Sequence, residues 1–229
     1  MSRRVRRLFE ILAVLVLTIA AAELAVAKIP GPAFLGPLWG GYLNHLVYLI
    51  IPALWLLIRR ERVPVGRLAW PELRPWISGW AWLLLLQIAF HAGIYRPAMA
   101  AMLRMPPSAW LTTLVFQGVW VGLTEEFLFR GYLQTSLALV FPHPLHLGKR
   151  RFGAQVVVSS ILFGALHLVN LTYQPLGFTL IQAGEATIFG FIIGTYYDRN
   201  RNLWGAVIAH NLANLTFFGV VALRAAFGV

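Results

Sequence analysis

Two adjacent carboxylates and an arginine interrupt an apolar stretch of the sequence, at Glu125, Glu126 and Arg130. A charged side chain at mid-bilayer costs about 2.5–3.5 kcal/mol on insertion scales, so these groups are expected inside a helix bundle with partners. Neighbouring helical positions differ by about 100°, so the two carboxylates point in different directions. Glu126 precedes Arg130 by four residues, the favourable order for an ion pair. This leaves Glu125 without a local counter-ion and makes it the first candidate for a general base.

Two further apolar segments carry polar groups that could do chemistry. Phe163 and His167 form a Phe-x-x-x-His pattern in which Gly164 permits close helix approach, and His210 and Asn214 are four residues apart on one helix face. Each pattern alone is explained equally well by a polar contact between helices. Their occurrence together with the two carboxylates favours a site for acid–base or oxyanion chemistry.

The elements that position these residues are predicted to be membrane spans. The chain of 229 residues is 59% hydrophobic and only 12% charged, whereas soluble domains are roughly a quarter charged. Its net charge of +11 comes from short clusters between apolar runs, which argues against nucleic-acid binding. The absence of cysteine excludes a thiolate nucleophile.

The sequence therefore predicts an all-α polytopic bundle of about seven spans with a cytoplasmic N-terminus, forming one domain over residues 1–229. Alternation across the membrane puts the four basic clusters on one side, and the first apolar run is interpreted as a retained helix. Residues 28–41 and 141–151 are predicted loops. The predicted spans are residues 8–27, 42–58, 76–90, 109–140, 152–171, 178–197 and 203–222.

Several other titratable residues receive weaker expectations. Glu23, His45 and His91 fall near predicted helix ends, where water or headgroups can satisfy them. Glu185 lies within a predicted span and is a neighbour of the site or a partner of a buried polar group. His143 and His146 are in a predicted loop, where they are expected to be solvated side chains. Straight helices do not bring the candidate site residues to one depth, so a kink near Glu125 or a re-entrant segment is expected.

The sequence resembles the CAAX-processing and bacteriocin-processing (CPBP, or Abi) family of intramembrane proteases. The resemblance covers residues 124–215, whereas residues 8–90 are variable N-terminal helices and residues 108–223 the family-like catalytic spans. The matching motifs, in family order, are Glu125-Glu126-Phe-Leu-Phe-Arg130-Gly-Tyr, Phe163-Gly-Ala-Leu-His167 and His210-Asn-Leu-Ala-Asn214.

The resemblance implies an intramembrane endopeptidase, in which Glu125 and His167 activate water and His210 and Asn214 stabilise the oxyanion. Glu126, Arg130 and Phe163 are then structural supports. The expected substrate is a membrane-anchored or lipidated protein, with CAAX-type or related C-terminal processing, and the expected location is the plasma membrane of a prokaryote. No cofactor is expected.

Three alternatives stay open at this point. In the first, zinc is held by Glu125, His167 and His210 with water in the fourth position. The second is a proton-coupled transporter, although the sequence shows no paired repeats with matching broken helices. The third is a non-catalytic immunity scaffold, although all the motif residues are present.

Overall fold

The computed structural model describes most of the chain as a bundle of long helices. The described residues are 2–32, 35–36, 38–67, 81, 84–85, 87–88, 106–147 and 150–227. The predicted span at residues 76–90 therefore lies outside the described residues, apart from single positions.

Over the ranges just given, the bundle has five regular helices and a longer composite one, α3. The composite helix covers residues 107–138 as successive α and π segments, and a 3₁₀ turn, His167–Thr172, extends α4. The other helices are α1 (Arg3–Lys28), α2 (Leu38–Arg59), α4 (Ala154–Leu166), α5 (Leu176–Asn200) and α6 (Leu203–Phe227). A short antiparallel hairpin joins α3 to α4, with strands β1 (Pro144–Leu147) and β2 (Arg150–Gly153).

Within the described residues, five helices are long and apolar enough to cross a membrane. They are residues 3–28, 38–59, 154–172, 176–200 and 203–223. An all-α membrane bundle is thus confirmed, while the count of seven and the orientation stay predictions.

The composite helix α3 lies at the centre of the bundle. Its residues 128–134 are all buried, with Leu128, Tyr132 and Leu133 fully enclosed. A helix buried on every side must be surrounded by other helices. Because the two carboxylates lie just before this stretch, the fold places them deep inside the protein.

Two segments of α3 are π-helical, Phe116–Val121 and Phe127–Gln134, and the short α-helix Gly122–Glu126 lies between them. π-Helical turns are rare and occur frequently at functional sites. The helical winding therefore changes on both sides of the carboxylates, whereas the expected kink or re-entrant segment stays a prediction.

The start of α2 differs from the sequence prediction, because the helix begins at Leu38 instead of Tyr42. Gly40 and Gly41 were expected to break it. Instead they allow close helix packing: a Cβ on Gly41 would lie 2.8 Å from Cζ of Phe116, and one on Gly40 would lie 3.2 Å from Val26.

The remaining bounds differ at the helix ends. The regular helix of α4 begins two residues later than predicted because β2 occupies residues 150–153, which include the last two residues of the predicted loop and the first two of the predicted helix. The last two helices are longer than predicted, and α5 ends at Asn200, where Arg201 follows as the C-cap with a φ of 52° in the left-handed region.

Candidate active site

Glu126 lies at the centre of a buried ion-pair network. Its side chain has no exposed surface; Oε2 lies 3.1 Å from Nε of Arg130, and Oε1 lies 2.7 Å from Nδ1 of His210. Arg130 is equally enclosed and donates from Nη2 to the carbonyl of Gly190 at 3.2 Å. The network connects α3, α5 and α6, so Glu126 and Arg130 hold His210 in place.

Glu125 faces two imidazoles that come from different helices. Its Oε1 lies 3.7 Å from Nε2 of His45 in α2, and its Oε2 lies 3.8 Å from Nε2 of His210 in α6. These distances exceed a direct hydrogen bond. Glu125 retains 8% of its surface exposed, whereas Glu126 has none. The two adjacent carboxylates therefore differ in environment: Glu126 is fully buried and paired with Arg130 and His210, whereas Glu125 is partly exposed.

His167 follows the last regular turn of α4, where the helix tightens into the 3₁₀ turn. Its Nδ1 lies 3.0 Å from the carbonyl oxygen of Phe163, which can only accept, so Nδ1 carries the hydrogen. In the neutral ring Nε2 then holds the lone pair. His167 is thus oriented with a potential base at its outer edge.

Phe163 packs among the polar site residues. Its ring meets the rings of His167 and His210 edge to face, at centroid distances of 5.2 and 5.9 Å, and the guanidinium carbon of Arg130 lies 5.1 Å from the same ring. Phe129 contacts it from α3 at 4.9 Å. This apolar wall fixes both imidazole planes and the guanidinium.

Two asparagines of α6 bond to the first π-helical segment of α3. Asn214 donates from Nδ2 to the carbonyl of Gln117 at 3.2 Å, and Asn211 donates to the carbonyl of Val119 at 3.3 Å. Asn211 also accepts from the backbone N–H of Gly122 at 3.0 Å. One amide hydrogen of Asn214 is so used, and the second is available for another acceptor.

The four residues expected to be catalytic all line one cavity of about 470 Å³, which we term the polar cavity. They are Glu125, His167, His210 and Asn214. A second cavity of about 260 Å³, which we term the aromatic cavity, shares three of them but not Glu125. It is bordered by four phenylalanines together with polar side chains: Phe163, Phe189, Phe217, Phe218, Gln182 and Glu185.

Sequence reasoning missed His45 as a member of the site. It was expected at a solvated helix end, but it lies in the second turn of α2 and borders the polar cavity. Its Nδ1 lies 2.7 Å from the hydroxyl of Thr124, and that hydroxyl donates to the carbonyl of Trp120 at 2.9 Å. His45 therefore donates from Nδ1 and presents Nε2 to Glu125.

Glu23 was also expected near a helix end, in contact with water or headgroups, and it lines the polar cavity as well. Glu185 lines the aromatic cavity, so it is a neighbour of the site residues. Among the residues that the structure describes, no group of three His, Cys, Asp or Glu side chains is arranged to hold a metal ion.

Taken together, the fold and the site define a class: a multi-pass integral membrane protein with carboxylate, imidazole and amide groups around an internal cavity. The model of the Rce1-like family, described as type II CAAX prenyl endopeptidase Rce1-like, matches residues 107–216. This match confirms the resemblance to the CPBP proteases over residues 107–216. No curated protein and no solved structure matches the chain.

Proposed function

We propose that this protein is a glutamate-dependent intramembrane endopeptidase that cleaves a peptide bond in a membrane-anchored protein. The observation that carries the proposal is the polar cavity, where Glu125, His167, His210 and Asn214 meet although they come from three different helices. A cavity of about 470 Å³ has the size of a small-molecule site and accommodates water with a short peptide segment.

In the proposed reaction, Glu125 and His167 activate the attacking water. Glu125 accepts a proton as the water oxygen bonds to the carbonyl carbon, and His167 orients the water through the lone pair on Nε2. The carbon–nitrogen bond then breaks, and the proton held by Glu125 passes to the leaving nitrogen. The products are a new carboxyl terminus and a new amine, without a covalent enzyme intermediate.

His210 and Asn214 stabilise the negative oxygen that develops during this reaction. The free amide hydrogen of Asn214 is one donor, and Nε2 of His210 is the second when the ring carries both protons. The charge of such a ring would face Glu126, which Arg130 neutralises on its other oxygen. Preorganised donors of this kind typically contribute about 10²–10³ in kcat each.

His45 positions Glu125 in this scheme. It is held by Thr124 on one side and by the ring of Phe116 at 5.2 Å on the other, so its Nε2 stays directed at Oε1 of Glu125. Because the hydrogen of the neutral ring is on Nδ1, Nε2 holds a lone pair, and the 3.7 Å separation accommodates a water that donates to both Nε2 and Oε1. His45 thereby restricts the rotamers of the general base.

A zinc-dependent form of the same hydrolysis is the second candidate. Histidines that ligate zinc usually donate their other ring N–H to a carbonyl or carboxylate, as His167 and His210 do here. The ligands would be Glu125, His167 and His210, although these three described residues are not arranged as a metal site in this structure. Metal analysis of purified active protein separates the two forms: we expect activity without stoichiometric zinc, and the loss of zinc together with activity would favour the second.

The experiment that tests the proposal uses Glu125→Gln, which keeps the shape of the side chain and removes the charge. We expect it to abolish cleavage of a membrane-anchored peptide reporter while the protein still inserts into membranes. Glu10→Gln, on α1 and remote from both cavities, is the matched control and should cleave normally. Full activity of Glu125→Gln would reject the mechanism.

A further inference from the structure

The two ends of the bundle can be distinguished by contacts between helix termini. At one end α1 begins and α2 ends, joined by Nη2 of Arg59 and Oε2 of Glu10 at 3.3 Å. The start of α6 lies at this end too, because the N–H of Leu203 donates to the carbonyl of Val65 at 3.0 Å. We term this the basic end.

Other contacts mark the opposite end. Trp39 at the start of α2 donates to the carbonyl of Ile29, which follows α1, at 2.9 Å. Tyr42 donates to the carbonyl of Thr112 near the start of α3 at 3.1 Å. The start of α4 is bonded to the end of α5 at the basic end, where Nε2 of Gln155 donates to Oδ1 of Asp198 at 2.9 Å. Because α4 runs from the basic end towards the opposite end, the turn between α4 and α5 lies at the opposite end.

The cationic side chains are concentrated at the basic end. Within the described ranges, the opposite end has Lys28 in the last turn of α1 and Arg224 near the end of α6. Those of the basic end are Arg3, Arg4, Arg6, Arg7, Arg59, Arg60, Arg62, Arg67, Arg150, Arg151, Arg199 and Arg201. Short cytoplasmic loops carry an excess of Lys and Arg, so this asymmetry assigns the basic end to the cytoplasm.

The polar cavity reaches the surface at the opposite end. Its lining includes Glu23 in the last third of α1, Asn44 in the first third of α2, and Thr172 and Tyr173 in the turn between α4 and α5. Tyr173 is 71% exposed. Thus the carboxylate of Glu125 borders a cavity that opens at the end of the bundle with fewer cations among the described residues.

The aromatic cavity lies in the same half of the bundle. It is bordered by Thr113 in the first turns of α3, Gln182 in the first turns of α5, and Phe217 in the second half of α6. Its phenylalanine walls suit an apolar chain, whereas the amide and carboxylate lining of the polar cavity suits water and peptide groups. The two cavities meet at His167, His210 and Asn214.

We propose that the site opens to the extracytoplasmic side and that its substrate is a membrane-anchored peptide presented from the outer half of the bilayer. This inference rests on the proposed function and gives it a substrate class. The apolar anchor of the substrate lies in the aromatic cavity, and the scissile bond lies where the cavities meet. A lipidated C-terminal tail on the cytoplasmic face reaches the basic end of the bundle and not this opening.

The side of the opening is tested without any protease assay, because the chain contains no cysteine. Single cysteines are placed at the rim of the polar cavity, Thr172→Cys, and on the hairpin of the basic end, His146→Cys. Spheroplasts are treated with a membrane-impermeant maleimide. We expect Thr172→Cys to be labelled directly and His146→Cys only after lysis. The reverse pattern would overturn the orientation and with it the substrate class.

The substrate class is tested with two reporters that share one membrane anchor and one cleavable segment, placed either outside or inside. We expect wild type to cleave the outside reporter at least ten times faster, and Glu125→Gln to cleave neither. Faster cleavage of the inside reporter would refute the inference while leaving the proposed protease intact. If wild type cleaves neither reporter although Thr172→Cys is labelled from outside, the proposed protease activity and its substrate class are both refuted, while the orientation is supported.

Discussion

Removing the guanidinium of Arg130 is expected to destabilise the protein strongly. Arg130→Met keeps the length and apolar stem of the side chain but leaves Glu126, which has no exposed surface, with His210 as its remaining partner. Breaking a buried ion pair from one side costs about 3–5 kcal/mol because a charge is left buried without compensation. For a chain of this size, a loss of 1 kcal/mol lowers the melting temperature by about 2–4 °C, so the variant should melt roughly 6–20 °C lower.

The pairing is isolated by a double variant, Glu126→Gln with Arg130→Met, which removes both charges. The glutamine still accepts from Nδ1 of His210, so most of the lost stability should return. The matched control is Arg6→Met, because Arg6 and Glu10 have the same spacing of four residues but the Arg6 side chain is 66% exposed. Exposed pairs contribute about 0–1 kcal/mol.

The assay is thermal unfolding in detergent with added lipid, followed through the fluorescence of the nine tryptophans. Two results would refute the reasoning. One is a melting temperature of Arg130→Met equal to that of Arg6→Met. The other is a double variant that melts no higher than Arg130→Met alone, because the lost stability would then not come from the unpaired charge of Glu126.

Three further perturbations probe the oxyanion donor, the helix contact behind it and the missed histidine. His210→Ala should lower kcat by about 10²–10³ in the reporter assay; an unchanged kcat would exclude the donor role. Gly164→Val places its Cβ 2.5 Å from the carbonyl oxygen of Ala183, so the variant should lower the free energy of unfolding by about 1–3 kcal/mol in thermal unfolding. Gly184→Ala is the control and should unfold like the wild type, because its Cβ would meet no neighbouring atom within 4 Å. His45→Asn should lower kcat by a larger factor than it changes KM, and it should shift the pH–rate profile. His45→Gln should retain a higher kcat than His45→Asn. An equal loss of kcat in both variants, with an unchanged pH–rate profile, would indicate that His45 has a packing role only.

The helix pattern could be predicted from the sequence because apolar runs of about 20 residues identify spans well. The helix ends could not be predicted, and the error at the start of α2 caused His45 to be missed as a residue of the site. Gly40 and Gly41 indicate a break in water, but here they face Val26 and Phe116 and allow α2 to begin four residues earlier than predicted. Because of this earlier start, His45 lies one turn further from the helix end than predicted, at a position inside the bundle.

The winding of α3 could not be predicted either, because nothing in residues 116–121 or 127–134 distinguishes a π-helix from an α-helix locally. The π segments depend on tertiary contacts, among them the amides of Asn211 and Asn214, which bond to carbonyls of the first segment. Such contacts connect residues about 90 positions apart, which no local pattern contains.

The division of labour between the two carboxylates follows from this winding and from the partners that surround it. The spacing of four residues predicts that Glu126 faces Arg130, and the structure adds His210 as its second partner. Glu125, one residue earlier, is turned towards the polar cavity and His45. Since Glu126 also holds His210, the proposed base and the proposed oxyanion donor are fixed by neighbouring residues of one short helix. A change in the winding of α3 would therefore alter both proposed functions at once, so we expect Arg130→Met, at a residue that lines neither cavity, to lower cleavage as well as stability.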